Sequence, residues 1–203
     1  MGKKVLLLVV LALALPTAAF ADSNIDFTNS SGTLVGTTTG LSLSGSTLIA
    51  VNGFSGGGLI TGNNLGTMSF STGALSAGDL QHGGVLASGG TFGIWGNGSN
   101  GLPNGVIFNG TFSSPVTWAL HTLPNGTHNY TLTGVVTGVT ASGFSTSGVV
   151  VQLTINTGKS LFAGSTKVSS GDTNIVVPEP GTLTLFGTGL IGFAGVIRRK
   201  LKT

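Results

Sequence analysis

The chain has 203 residues, of which only 6% are charged, 36 are glycine and none is cysteine. Its formal charge of +3 misdescribes the body: Lys3, Lys4, Arg198, Arg199, Lys200 and Lys202 lie at the two ends, leaving Lys159 and Lys167 against Asp22, Asp26, Asp79 and Asp172 in between. A body so poor in Lys and Arg has no stripe for phosphate backbones, which excludes nucleic acid as a partner, and without cysteine its stability has to come from packing and sheet hydrogen bonds.

The first element is a leader. Lys3 and Lys4 make a positive n-region, Val5 to Leu15 an apolar core that ends at Pro16, and Ala19-Phe20-Ala21 an A-x-A cleavage site. The pattern predicts a secretory signal peptide over residues 1–21, delivered to the Sec translocon and cut by signal peptidase after Ala21. The apolar core is too short to span a bilayer, so a retained anchor is disfavoured.

Residues 22–176 have the length of one domain. Helix signals are scarce. Alternating runs predict strands at Leu41 to Leu43, Leu48 to Val51, Met68 to Phe70, Gly105 to Phe108, Val116 to Leu120, Tyr130 to Thr133 and Val149 to Ile155. Asn-Gly pairs at Asn52, Asn97, Asn104, Asn109 and Asn125 predict turns between them. The expectation is an all-β fold, an antiparallel β-sandwich or barrel rich in Gly, Ser, Thr and Asn. The Gly-rich stretch from Gly53 to Gly101 reads as irregular or as long loops.

Motifs for chemistry are thin. Acid–base catalysis needs positioned carboxylates or histidines, yet the only glutamate is Glu179 and the only histidines are His82, His121 and His128. His121 and His128 flank a Pro-Asn-Gly turn without a carboxylate to complete a metal site, so they read as surface residues at a hairpin. Gly53-Phe54-Ser55-Gly56-Gly57 fits a nucleophile elbow and Gly96 to Gly101 fits G-x-G-x-x-G, but no helix follows either, so both read as loops. No cofactor, metal site or catalytic residue is expected. Trp118 alternates in phase with Val116 and Leu120 and reads as core, whereas Trp95 and Tyr130 are the candidate sugar contacts. Asn-x-Ser/Thr sequons at Asn29, Asn97, Asn109, Asn125 and Asn129 are frequent because Asn-Gly-Thr turns are frequent.

The C-terminal segment, residues 177–203, is the most specific part. Pro178-Glu179-Pro180 is a short extended stretch that a processing enzyme can grip. Residues 181–197 carry no charge and predict a transmembrane helix, followed by a stop-transfer cluster of Arg198, Arg199, Lys200 and Lys202 that stays cytoplasmic. As a helix the span rises about 25 Å against about 30 Å of hydrocarbon, which suits brief residence better than permanent anchoring. The order of triplet, span and basic cluster resembles the PEP-CTERM sorting signal. That resemblance implies recognition by an exosortase, a membrane-embedded cysteine transpeptidase or protease, in bacteria that make exopolysaccharide. The overall expectation is a non-enzymatic, exported protein, held transiently in the inner membrane and then delivered to the cell surface or exopolysaccharide matrix in a structural or adhesive role. A carbohydrate-binding module is the alternative and a secreted hydrolase the weakest reading.

Overall fold

The computed structural model describes residues 23–177 apart from Ser142 and Phe144. The expected signal peptide and transmembrane helix lie outside the described residues. Thirteen strands follow in chain order: β1 (Ser23–Ser30), β2 (Thr33–Thr37), β3 (Gly40–Asn52), β4 (Ile60–Ser71), β5 (Leu75–Asp79), β6 (Gly83–Leu86), β7 (Phe92–Asn97), β8 (Asn104–Phe112), β9 (Val116–Thr122), β10 (His128–Thr140), β11 (Ser145–Gly158), β12 (Ser165–Lys167) and β13 (Gly171–Val177).

Period-two patterning explains these strands. In β11, Val149, Val151, Leu153 and Ile155 are fully buried while Val150 between them is 39% exposed. Each such side chain moved from water to the core contributes about 1.5–3 kcal/mol. In β10, Tyr130, Leu132 and Val136 point the same way, and in β13 Thr173 and Ile175 do.

Eight strands close into a ring in the order β1, β3, β4, β7, β8, β10, β11, β13 and back to β1, with β10–β11 completing the circuit. Neighbours run antiparallel around it, and an even strand number lets the alternation close. Of the two architectures expected, the barrel is the one formed. Phe27, Leu48, Val51, Met68, Ile94, Phe108 and Val151 belong to the continuous apolar core.

The ring has two distinct poles. Asp26 of β1 pairs with Asn52 near the end of β3, and Val176 of β13 pairs with Val150 near the start of β11. The chain therefore enters the barrel at Ser23 and leaves it at Val177 on the same pole, through adjacent strands. At the opposite pole two long strands fork. One edge of β3 pairs with β1 over residues 47–52 and with β2 over residues 40–44, and β2 carries β12 on its other side. One edge of β10 pairs with β8 over residues 136–140 and with β9 over residues 128–133, and β9 carries β6 and then β5. Gly134 sits at the second fork, where an added Cβ would lie 2.6 Å from the Phe112 ring and 3.1 Å from Val116, so the strands diverge over a position with no room for a side chain.

Two expectations are corrected here. The stretch from Gly53 to Gly101 is not mainly irregular: it holds β4, β5, β6 and β7. Asn104-Gly105 and Asn109-Gly110 are not turns but parts of β8. Gly110 pairs with Phe92 on one side and Gly138 on the other, and a Cβ there would meet Val136 and the Thr137 carbonyl. The glycine serves close strand approach, not reversal.

Candidate functional site

The forked pole is built around three aromatic rings. Trp118 on β9 and Tyr130 on β10 are diagonal neighbours, since Trp118 faces Leu132 and Tyr130 faces Leu120. Their rings stack with centroids 4.8 Å apart and planes 15° apart, and Phe162, from the β11–β12 connection, meets both edge-on. An aromatic pair of this kind adds about 0.5–1.5 kcal/mol beyond its area. The polar atoms reach across to the β5–β6 turn: Trp118 Nε1–H donates to the Leu80 carbonyl at 3.0 Å, and Tyr130 Oη–H donates to the Gln81 carbonyl at 2.6 Å. The Phe162 N–H donates back to Tyr130 Oη at 2.9 Å. One phenol thus ties both branches together.

This geometry corrects the Tyr130 expectation. The side chain is fully buried and its hydroxyl is engaged twice, so it has no face for a sugar ring. Burial, with a smaller contribution from the Asp79 carboxylate, raises its phenol above the usual value, opposed by the Phe162 N–H. Trp118 lies in the core, as its phase predicts. Trp95 is half-buried on β7, with its ring lying over Gly93. It covers the bare backbone of its own strand, and the fold does not bring it near Tyr130.

The β5–β6 turn is held by its own acid. Asp79 Oδ1 accepts from the backbone N–H of Gln81 at 2.8 Å and of His82 at 2.6 Å, and both carboxylate oxygens lie 3.1 Å from His82 Nδ1. These contacts, led by the His82 N–H and then its ring, hold the Asp79 carboxyl below the usual carboxylate range. Between this turn, the end of β2 and the β11–β12 connection opens a cleft of about 460 Å³, lined by residues 37–38, 75, 79–82 and 162–163. Its wall is closed on one side by the Leu75 N–H donating to the Thr38 carbonyl at 3.2 Å. The cleft escapes sequence reading because it joins three segments far apart in the chain. The local signal was Asp79-Leu80-Gln81-His82 followed by two glycines, an Asp and a His spaced to share one turn.

The other motifs fall on surface hairpins and turns. His121 faces Asn129 across β9–β10 while His128 faces Thr122, so strand alternation puts the two imidazoles on opposite faces. Ser55 stands exposed in a single 3-10 turn between β3 and β4, at φ 52° and ψ 33°. Residues 96–101 run from the end of β7 into the β7–β8 turn. Asn29 is fully buried, which removes its sequon from any surface chemistry.

The sorting triplet Pro178, Glu179 and Pro180, the basic cluster and the leader residues Ala19 and Ala21 lie outside the described residues; the last described residue, Val177, ends β13 immediately before the triplet. Compared with known families, residues 176–200 match the PEP-CTERM protein-sorting motif. The match takes in the triplet and Arg198, Arg199 and Lys200, and leaves Lys202 just beyond it. No curated protein and no solved structure matches the chain. The chain therefore carries the signal of an exported protein that is anchored transiently in the membrane and sorted by an exosortase.

Proposed function

We propose that this is a non-enzymatic surface or matrix protein whose β-barrel is the delivered cargo. It crosses the inner membrane by its leader through the Sec translocon, signal peptidase cuts after Ala21, and the exosortase processes it at or near Pro178-Glu179-Pro180, releasing it to the cell surface or exopolysaccharide matrix in a structural or adhesive role. The observation that carries the reading is the match over residues 176–200, at the far end of a chain that opens with a basic, apolar, A-x-A leader.

The barrel's chemistry suits a watery destination. Facing outward across β9, β10, β11 and β13 are rows of neutral polar groups, such as Thr117, Thr133, Gln152 and Asn174 in one row. Large apolar side chains exposed among the described residues are scattered: Val35, Leu59, Leu123, Val139 and Val150. A lipid-facing barrel has the reverse arrangement, with an apolar band outside.

The test is Glu179→Ala expressed in the native host, followed by fractionation and intact-mass analysis. The expected outcome is accumulation in the inner membrane of a chain that begins at Asp22 and keeps its basic tail. Unchanged delivery of a shortened chain would overturn exosortase sorting at this triplet. A second reading, carbohydrate binding, is favoured by the concave site at the forked pole and by Trp95 on the wall.

A further inference from the structure

We propose that the cleft between the two branches binds a neutral saccharide ring, its apolar face on Leu75 and Leu80 and its hydroxyls on Asp79, His82 and Thr38. The proposal rests on the carbohydrate reading above and gives it a site, moving it from the wall to the forked pole.

Three features of the cleft specify this ligand. Part of the lining is apolar, from Leu75, Leu80 and Phe162, and the Leu80 carbonyl is held by the Trp118 Nε1–H. At about 460 Å³ it falls within the usual range of small-molecule sites and has room for one or two sugar rings. The rim, by contrast, is rich in acceptors. His82 Nδ1 lies against the Asp79 carboxylate, so the ring carries a proton there and Nε2 is the nitrogen left for a ligand. Asp79 Oδ2, unlike Oδ1, takes no backbone N–H. The Thr38 hydroxyl adds a group that both gives and takes, whereas Thr37 Oγ1 is already engaged by the Thr39 hydroxyl and N–H. A rim of this kind asks for a ligand with many O–H donors, and an apolar lining of this kind asks for one with a C–H face. A pyranose has both.

Charge narrows the class. No Lys or Arg among the described residues lines the cleft, and Asp79 is held ionised. An acidic or sulfated sugar therefore meets a like charge without a compensating cation, whereas a neutral one does not.

The molecule supplies its own reporter. The chain has two tryptophans, and in a Trp95→Phe background the remaining one, Trp118, is hydrogen-bonded to the cleft residue Leu80. The experiment titrates this full-length variant, extracted in detergent, with cellobiose, maltose and glucuronate while following tryptophan emission. The expected result is a saturable shift with at least one of the neutral disaccharides and none with glucuronate. Asp79→Asn keeps an oxygen for the turn N–H groups but removes the charge, and should weaken binding about tenfold. Thr38→Trp, read by calorimetry because it adds an indole, fills the cleft while leaving every residue of the turn unsubstituted and should abolish binding. Saturation by glucuronate, absence of any shift with both disaccharides, or full affinity in Thr38→Trp would overturn the proposal. A protein that is processed and delivered normally yet binds neither disaccharide sinks the cleft while leaving exosortase sorting intact; failed delivery of Glu179→Ala says nothing against the cleft.

Discussion

The two poles of the barrel are stabilised by different means. Around the ring every strand has a neighbour on both sides, and the interior is filled by Val, Leu, Ile, Phe and Met with few polar groups. At the forked pole the branches end in the short free edges of β5 and β12, and they converge on three rings, a phenolic hydroxyl and one capped turn. The ring is stabilised by many interchangeable contacts, the forked pole by a few specific ones. A fold of this kind loosens at one end first, as expected where short strands end in unpaired edges and depend on a few specific contacts. That end also carries the cleft.

The comparison is broken most severely by Trp118→Ala, which removes the stacked ring under both branches. It should cost about 3–5 kcal/mol, measured by denaturant unfolding. Hydrogen exchange in the variant should show β5 and β6 opening while β11 and β13 stay protected. Equal loss of protection in both would mean that ring and branches are one cooperative unit.

Tyr130→Phe sharpens the comparison. It leaves the ring stacking in place but strips the Gln81 carbonyl and the Phe162 N–H of their shared partner. The expected cost is about 1–3 kcal/mol, with opening confined to the β5–β6 turn and the β11–β12 connection in the same exchange measurement.

The smallest effect is an acid titration in which the two regions respond with opposite sign. Asp79, at the forked pole, has its pKa lowered by the His82 contacts. Its contribution is present above the ordinary carboxylate value and is lost as pH falls through its depressed folded value. Asp26, on β1 in the ring, has its pKa raised, first by burial and then by the nearby Asp172 charge. Its contribution is full at low pH and is lost as pH rises from the ordinary value through the raised one. Acidification from pH 7 should therefore loosen the β5–β6 turn, seen as faster exchange of the Gln81 and His82 amides, while relieving the strain on β1. Asp79→Asn should abolish the first response and leave the second.

How much of this was legible depends on range. The strands around Val116, Tyr130 and Val149 could be read because their alternation is local, and the same alternation put Tyr130 in phase with Leu132, which already argued for an inward ring. In β4 only Met68 to Phe70 was legible, and β7 was missed, because glycines interrupt their apolar positions: Gly66 comes before Met68, and Gly93 lies under Trp95. The Asn-Gly pairs of β8 misled because glycine serves close approach there as readily as a turn. Closure by β1 beside β13, the forks and the cleft are all choices among distant partners, and no window of sequence encodes them. The sorting signal was legible because its recognition depends on linear order, with no fold required.

The neighbouring placement of β1 and β13 has a consequence for timing. The ring is a clasp whose two halves are the first and last strands of the exported body. Until residues 171–177 are in place, β11 and β1 each lack the strand that lies between them. Closure of so non-local a circuit is slow compared with local hairpins, so the body stays an open sheet until its last strand arrives and fastens only then.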